Sequence, residues 1–208
     1  SGKVEAILKY GPIDKNGNKI GKSFEEILSK VDKNSLNDFR AYIVSKHAKE
    51  LMDEGIATGL SEADVNLTIK KYDNQFEPIL KELVEFQRNV LKQLVDAGIL
   101  SADSYNKITK YEYYVPFNRV MDDTKTSGTG KGLEARNPVY GIKGSSRDII
   151  DPLESIIKNT FIYTNMADRN MIGKAFVDLA RKYEGSGKII DKVPPRMIPQ
   201  TIMLKELE

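Results

Sequence analysis

The 208-residue chain contains no cysteine and no tryptophan, and only one histidine. Without cysteine there can be no disulfides, thiol nucleophiles, Fe–S clusters or cysteine zinc sites. One histidine, His47, gives a poor basis for a metal site. No charge of either sign dominates: 32 Lys and Arg stand against 30 Asp and Glu, a formal net of +2. Any role with nucleic acid therefore needs a local patch rather than a global field. No apolar run approaches the roughly 20 residues of a membrane span. Near the N-terminus Lys3, Glu5 and Lys9 interrupt any secretory apolar core.

What remains is 40% hydrophobic and 30% charged, the balance of a globular, helix-rich chain. Helix punctuation is frequent. Ser23 with Glu26 forms a capping-box pattern, opening a helix to about Lys30. Ser35 with Asp38 opens the next, whose stripe of Leu36, Phe39, Ile43, His47 and Leu51 recurs at steps of three and four. Gly55 or Gly59 closes it. Ser61 with Asp64 starts a helix reaching about Tyr72. Pro78 reads as the first position of a further helix ending at Gly98. Ser101 opens a short one to about Lys110. Asp151-Pro152-Leu153-Glu154 is the sharpest start, with a cap, an N1 proline and an acid at N3. The helix it predicts runs to about Tyr183, a length of roughly 45–50 Å. Its expected buried stripe is Leu153, Ile157, Thr160, Thr164, Ala167, Met171, Ala175 and Leu179.

Tyr10–Ile20 predicts a small hairpin with a type I′ turn at Asn16-Gly17. Asp14, Asn16, Asn18 and Glu25 also occupy calcium-loop spacing, but Lys19 stands where the loop needs glycine, and a plain turn is the better reading. Tyr111–Phe117 is aromatic, ends near Pro116 and predicts extended backbone. Residues 122–146 predict a long loop rich in Gly, Ser, Thr and Lys. The fold class is mainly α. Three stretches divide it: a helical part over 1–110, an aromatic segment and loop over 111–147, and a long helix with an extended tail over 148–208.

The chemistry on offer is sparse. Ser127–Gly132 imitates a phosphate-binding P-loop but lacks its first glycine and its final Ser or Thr. The same region reads better as an anion patch. Lys125, Lys131, Arg136, Lys143 and Arg147 face the single acid Glu134 between Thr124 and Arg147. Tyr113 and Tyr114, with Tyr111 and Phe117 beside them, offer stacking faces. The alternative is a solvated loop beside aromatics that pack. His47, on an apolar stripe, reads as a core or boundary histidine. Gly144, Arg147, Asp148, Asp151 and Pro152 read as a structural linchpin joining loop to helix. Arg169, with Asp168 and Asn170, reads as a buried polar network within that helix. No catalytic residue, metal ligand or cofactor site is assigned. An enzyme of unrecognised type would draw on Arg119, Arg147, Asp148 and Asp151.

Two blocks, Tyr114–Arg119 and Ile142–Ile157, resemble a helical region of the very large polyvalent proteins encoded by tailed phages and related mobile elements. The resemblance extends to Phe39-Arg40-Ala41-Tyr42, Asp96–Ser101 and Ala167-Asp168-Arg169-Asn170, and is most specific over Lys143–Ile157. It implies a fragment of a much longer chain, carried in the virion and delivered to the host cytoplasm with the DNA. The partners it implies are other domains of the parent polyprotein or virion proteins, with DNA as a further candidate and no membrane. In that family, neighbouring domains carry helicase, methylase, peptidase or ADP-ribosyltransferase activity; none of their motifs occurs here. The first expectation is thus a non-catalytic structural or interaction module. A nucleic-acid-binding module using the cationic loop and the tyrosines is the alternative.

Overall fold

The computed structural model describes residues 2–114 and 151–183. Within them the protein is mainly helical, as the punctuation predicts. Helix α1 covers Gly2–Tyr10, α2 Phe24–Leu28, α3 Leu36–Asp53, α4 Glu62–Asp96, α5 Ala102–Ile108 and α6 Pro152–Lys182. The chain divides into two compact units, residues 1–170 and 171–208, and the division falls inside α6.

Local chemistry explains most boundaries. Ser23 accepts the Glu26 amide while the Glu26 carboxylate accepts the Ser23 amide, a complete capping box at α2. Those bonds to the charged form hold the Glu26 carboxyl down at about 2. Ser61 and Ser101 cap α4 and α5 by accepting the Asp64 and Ser104 amides, without the reciprocal bond. Gly55 and Gly98 end α3 and α4 at positive φ, and Ile56 and Ile99 donate back to the Leu51 and Leu94 carbonyls.

Four local predictions need correction. Ser35 makes no side-chain cap; Asp32 instead caps a 3-10 turn over Lys33–Ser35 that leads into α3. Pro78 does not begin a helix: α4 runs through it for 35 residues. Pro78 and the Asn74 carbonyl it leaves without a donor lie on the exposed side, while Phe76, Ile79, Leu80 and Leu83 on the other side are buried. Packing of that face overrides the break. Helix α1 is absent from the sequence reading, and only Val4 and Ile7 of it are buried. The hairpin reduces to one antiparallel bridge, Ile13 with Lys19. Its turn is not type I′, because only Gly17 has positive φ. The Asp14 carboxylate accepts the amides of Asn16 and Asn18 instead, which accounts for the Asp-x-Asn-x-Asn spacing without a cation. Where α1 runs into this loop, Gly11 has φ +105, and a Cβ there would lie 2.6 Å from the Gly21 carbonyl oxygen.

The main core lies between α3 and α4. Phe76 packs its ring against Phe39, Tyr42 and Tyr72 with centroids 5.1–5.8 Å apart. Ile7, Phe24 and Ile27 close one side, and Leu153 and Ile156 of α6 close another. A smaller cluster joins Leu91 and Leu94 of α4, and Ala97 at its C-cap, to Ala167 of α6. Over residues 152–170, α6 buries Leu153, Ser155, Ile156, Asn159, Thr160, Thr164 and Ala167. The predicted stripe therefore holds at Leu153, Thr160, Thr164 and Ala167. It fails at Ile157, which is exposed, and in the second unit at Met171, Ala175 and Leu179, also exposed.

Candidate functional site

Two helices carry polar residues at four-residue steps, so each row lines one side of its helix. On α3 these are Tyr42, Lys46 and Glu50, continued by Glu54 at the C-cap; on α4 they are Asp73, Glu77 and Lys81. The rows face each other. The Tyr42 hydroxyl donates to Asp73 Oδ1 at 2.6 Å, and Lys46 Nζ reaches Asp73 at 3.0 Å and Glu77 at 3.8 Å.

The turn at residues 109–113, immediately after α5, docks on this ladder. Glu50 accepts the backbone amides of Glu112 and Tyr113 at 2.7 and 3.1 Å. Arg88 of α4 donates to the carbonyls of Thr109 and Tyr111 at 3.3 and 3.0 Å. An anion thus holds the amides and a cation holds the carbonyls of one turn. The Tyr111 hydroxyl and Lys110 bond Glu54, and the Tyr113 hydroxyl donates to Glu77 at 2.7 Å. Lys46 Nζ sits 4.2 Å over the Tyr113 ring. Of the stretch Tyr111–Phe117, read as extended backbone, residues 111–113 instead form a turn, because side chains of α3 and α4 satisfy its backbone, and residues 115–117 lie outside the described residues.

The electrostatics follow from these contacts. The Tyr42, Tyr113 and Tyr111 hydroxyls hold Asp73, Glu77 and Glu54, respectively, below the usual carboxylate range. Burial pushes Glu50 up despite its two amide donors. His47 lies beside it, with Nδ1 3.6 Å from Glu50 Oε2 and with Tyr111 and Tyr114 edge-on to its ring. Burial lowers its imidazole to about 4. Desolvation outweighs the nearby Glu50 carboxylate, and His47 is neutral at pH 7. A buried boundary histidine is what the apolar stripe predicts.

A second anchor stands at the start of α6. Asp151 Oδ1 accepts the Leu153 amide at 2.9 Å, and Oδ2 pairs with Arg40 Nε of α3 at 2.6 Å. Arg40 also donates to Asn37 on its own helix. Helix α3 therefore grips the chain at residue 151 through Arg40 and at residues 111–113 through Glu50 and Glu54. Those grips are ten residues apart on one helix, or about 15 Å.

The sequence-predicted site residues separate as follows. Tyr113 is buried, and its hydroxyl and one ring face are engaged. Tyr114 is half-buried against His47, and burial raises its hydroxyl to about 12. Asp151 pairs the start of α6 with α3 through Arg40, a partner that spacing does not reveal, and Pro152 is buried at the first position of α6. Arg169 is exposed and takes no part in a buried network. Its neighbours instead pair outward from α6: Asp168 with Lys3, and Asn170 with the Ala97 carbonyl. Lys125, Lys131, Arg136, Lys143, Gly144, Arg147, Asp148 and Arg119 lie outside the described residues. Lys46, Glu50, Glu54, Asp73, Glu77 and Arg88 escaped the sequence reading. The i, i+4 repetition of 42/46/50/54 and 73/77/81 was the available signal.

Among the described residues no group of three or more His, Asp or Glu side chains is arranged to hold a metal ion. Nor is any helix there long and apolar enough to cross a membrane. Comparison of the chain with protein-family models, with curated proteins and with solved structures finds no match.

Proposed function

We propose that this chain is a non-catalytic structural or interaction module of a large phage or prophage polyvalent protein, one that travels with the DNA into the bacterial host. The observation that carries the reading is the commitment of its polar side chains. Asp73, Glu77, Glu50, Glu54 and Asp151 each spend their carboxylate on a tyrosine hydroxyl, a backbone amide or a cation of the same chain. His47 is buried and neutral. Such a network rigidifies a scaffold; a general acid or base needs a group free to meet a substrate. The partners in this reading are neighbouring domains of the parent chain or virion proteins.

A second reading, a nucleic-acid-binding module, draws support from the two grips on α3. They hold the chain at residues 111–113 and at residue 151, and the sequence between those points carries Lys125, Lys131, Arg136, Lys143 and Arg147. Fluorescence anisotropy with labelled single- and double-stranded DNA at about 50 and 200 mM salt separates the two. The interaction reading expects no binding at the lower salt. Salt-sensitive binding that disappears on charge reversal of Lys131, Lys143 and Arg147 would overturn it in favour of the second.

A further inference from the structure

Helix α6 meets the helical body along residues 152–170, and the side it buries there is partly polar. Besides Leu153, Ile156 and Ala167 it buries Ser155, Asn159, Thr160 and Thr164. Thr160 returns its hydroxyl to the Ile156 carbonyl at 2.8 Å. Ser155 Oγ, Asn159 Nδ2 and Thr164 Oγ1 are buried with no hydrogen-bond partner among the described residues. The outward side meanwhile keeps Ile157, Phe161, Ile162 and Met166 exposed by 38–49%. Docking therefore conceals polar groups that water would serve and leaves apolar surface in water.

Magnitudes decide how firmly such a helix is held. Each orphaned polar group shifts the balance between docked and open about five- to a hundredfold toward the open form, where water completes it. Three of them offset most of what burial of Leu153 and Ile156 contributes. Those two are the buried residues that α6 lends to the main core, whereas Phe39, Tyr42, Phe76, Leu80 and Leu83 belong to α3 and α4. The body thus keeps a core of its own when α6 leaves it. Polar ties stand at both ends of the stretch. Asp151 pairs with Arg40 of α3 at 2.6 Å. Asp168 pairs with Lys3 of α1, and Asn170 Nδ2 donates to the Ala97 carbonyl at 2.7 Å. The division into two compact units falls directly after Asn170.

We propose that residues 152–170 form a strap that opens from the body as one cooperative unit while α1–α5 stay folded. Opening releases the ties to Arg40, Lys3 and Ala97 together. It hydrates Ser155, Asn159 and Thr164, and it bares Leu91 and Leu94 of α4, which cluster with Ala167 in the closed form.

Native-state hydrogen exchange of the full chain, read by mass spectrometry at pH 7 in urea below the unfolding transition, tests the strap. Amides of residues 153–170 are expected to exchange together, at least about a hundredfold faster than those of residues 76–94 in α4. Their exchange should also depend less on urea, since a partial opening exposes less surface. Thr164→Val, an isosteric change, and Asn159→Leu each remove one orphan and are expected to slow exchange over 153–170 about tenfold. Val65→Ala loosens the body at a buried position in the first turn of α4. It is expected to hasten exchange over residues 76–94 about tenfold and to leave 153–170 unchanged. Three results would overturn the proposal. One is protection of 153–170 as strong as that of 76–94. Another is a response of 153–170 to Val65→Ala in step with α4. The third is exchange over 153–170 that neither apolar variant slows, the outcome if bound water completes the buried groups. The measurement involves neither partner nor DNA, so failure of the strap leaves the interaction-module reading to the anisotropy experiment.

Discussion

Removing the Asp151 side chain tests the anchor of α6 most directly. In Asp151→Ala two contributions vanish together. The first is the cap: the Leu153 amide loses its acceptor at 2.9 Å, a loss of about 1 kcal/mol. The second is the partner of Arg40, whose side chain is 23% exposed and whose Nε lies 2.6 Å from the carboxylate. Breaking a fully buried pair costs about 3–5 kcal/mol. Arg40 keeps its bond to Asn37 and some solvent, so about 1–3 kcal/mol is the fitting range here. The expected loss is therefore about 2–4 kcal/mol. Asp151→Asn keeps an oxygen for the Leu153 amide and loses only the charge, so it should fall about 1 kcal/mol short of the alanine loss. Asp151→Ser with Arg40→Met keeps a cap and removes both charges, and should lie within about 1 kcal/mol of the starting protein. Urea unfolding followed by circular dichroism at pH 7 reads all three, and the partly buried pair should respond little to added salt. An alanine variant that loses under about 0.5 kcal/mol, or an asparagine variant as damaged as the alanine one, would refute the reasoning.

Acid should destabilise the fold through His47. Its folded value of about 4 lies below the unfolded 6.5, so the unfolded chain binds the proton first; stability is complete above about pH 6.5 and falls by about 3 kcal/mol as pH drops to 4. His47→Gln should flatten this limb in pH-dependent melts, with three nearby carboxyl groups acting outside it or against it. Asp73 and Glu77, held low, add losses only at more acid pH, and Glu50, held high, gains slightly as pH falls. Pro78→Ala should stabilise the protein by about 1–2 kcal/mol, since it restores a donor for the Asn74 carbonyl and relieves the ring clash, less some unfolded-state entropy; a lowered melting temperature would contradict the account of α4. Phe76→Ala empties the centre of the aromatic cluster, where Phe76 is fully buried, and should cost about 3–5 kcal/mol in the same urea assay; a loss below about 2 kcal/mol would mean the cluster collapses around it. Gly11→Ala should destabilise by about 1–3 kcal/mol, because φ +105 and the Gly21 carbonyl leave a Cβ no room.

What the sequence made legible was local. The caps at Ser23, Ser61, Ser101 and Asp151 and the stops at Gly55 and Gly98 depend on a few adjacent residues, and they stand where the pattern puts them. Pro78 was misread because a local rule met a long-range fact, the burial of Phe76, Ile79 and Leu80 on the opposite side of α4. The stripe of α6 was misread at Ile157 because hydrophobicity alone cannot say which side of a helix meets which neighbour. Arg40 and Asp151, or Glu50 and the Tyr113 amide, are far apart in sequence, and no spacing links them. The aromatic run was read as possible stacking surface, whereas the carboxylates that engage Tyr111 and Tyr113 sit at four-residue steps on α3 and α4 and were in plain view as polar rows.

The two grips on α3 make that helix an alignment gauge. The turn at residues 109–113 and the first turn of α6 are both keyed to it, one by Glu50 and Glu54 and the other by Arg40, ten residues or about 15 Å apart along its axis. One residue inserted between Arg40 and Glu50 would turn the second grip about 100° away from the first, so that α3 could serve only one of them at a time. Two elements distant in sequence thus share a single angular reference, and the phase of one helix sets both.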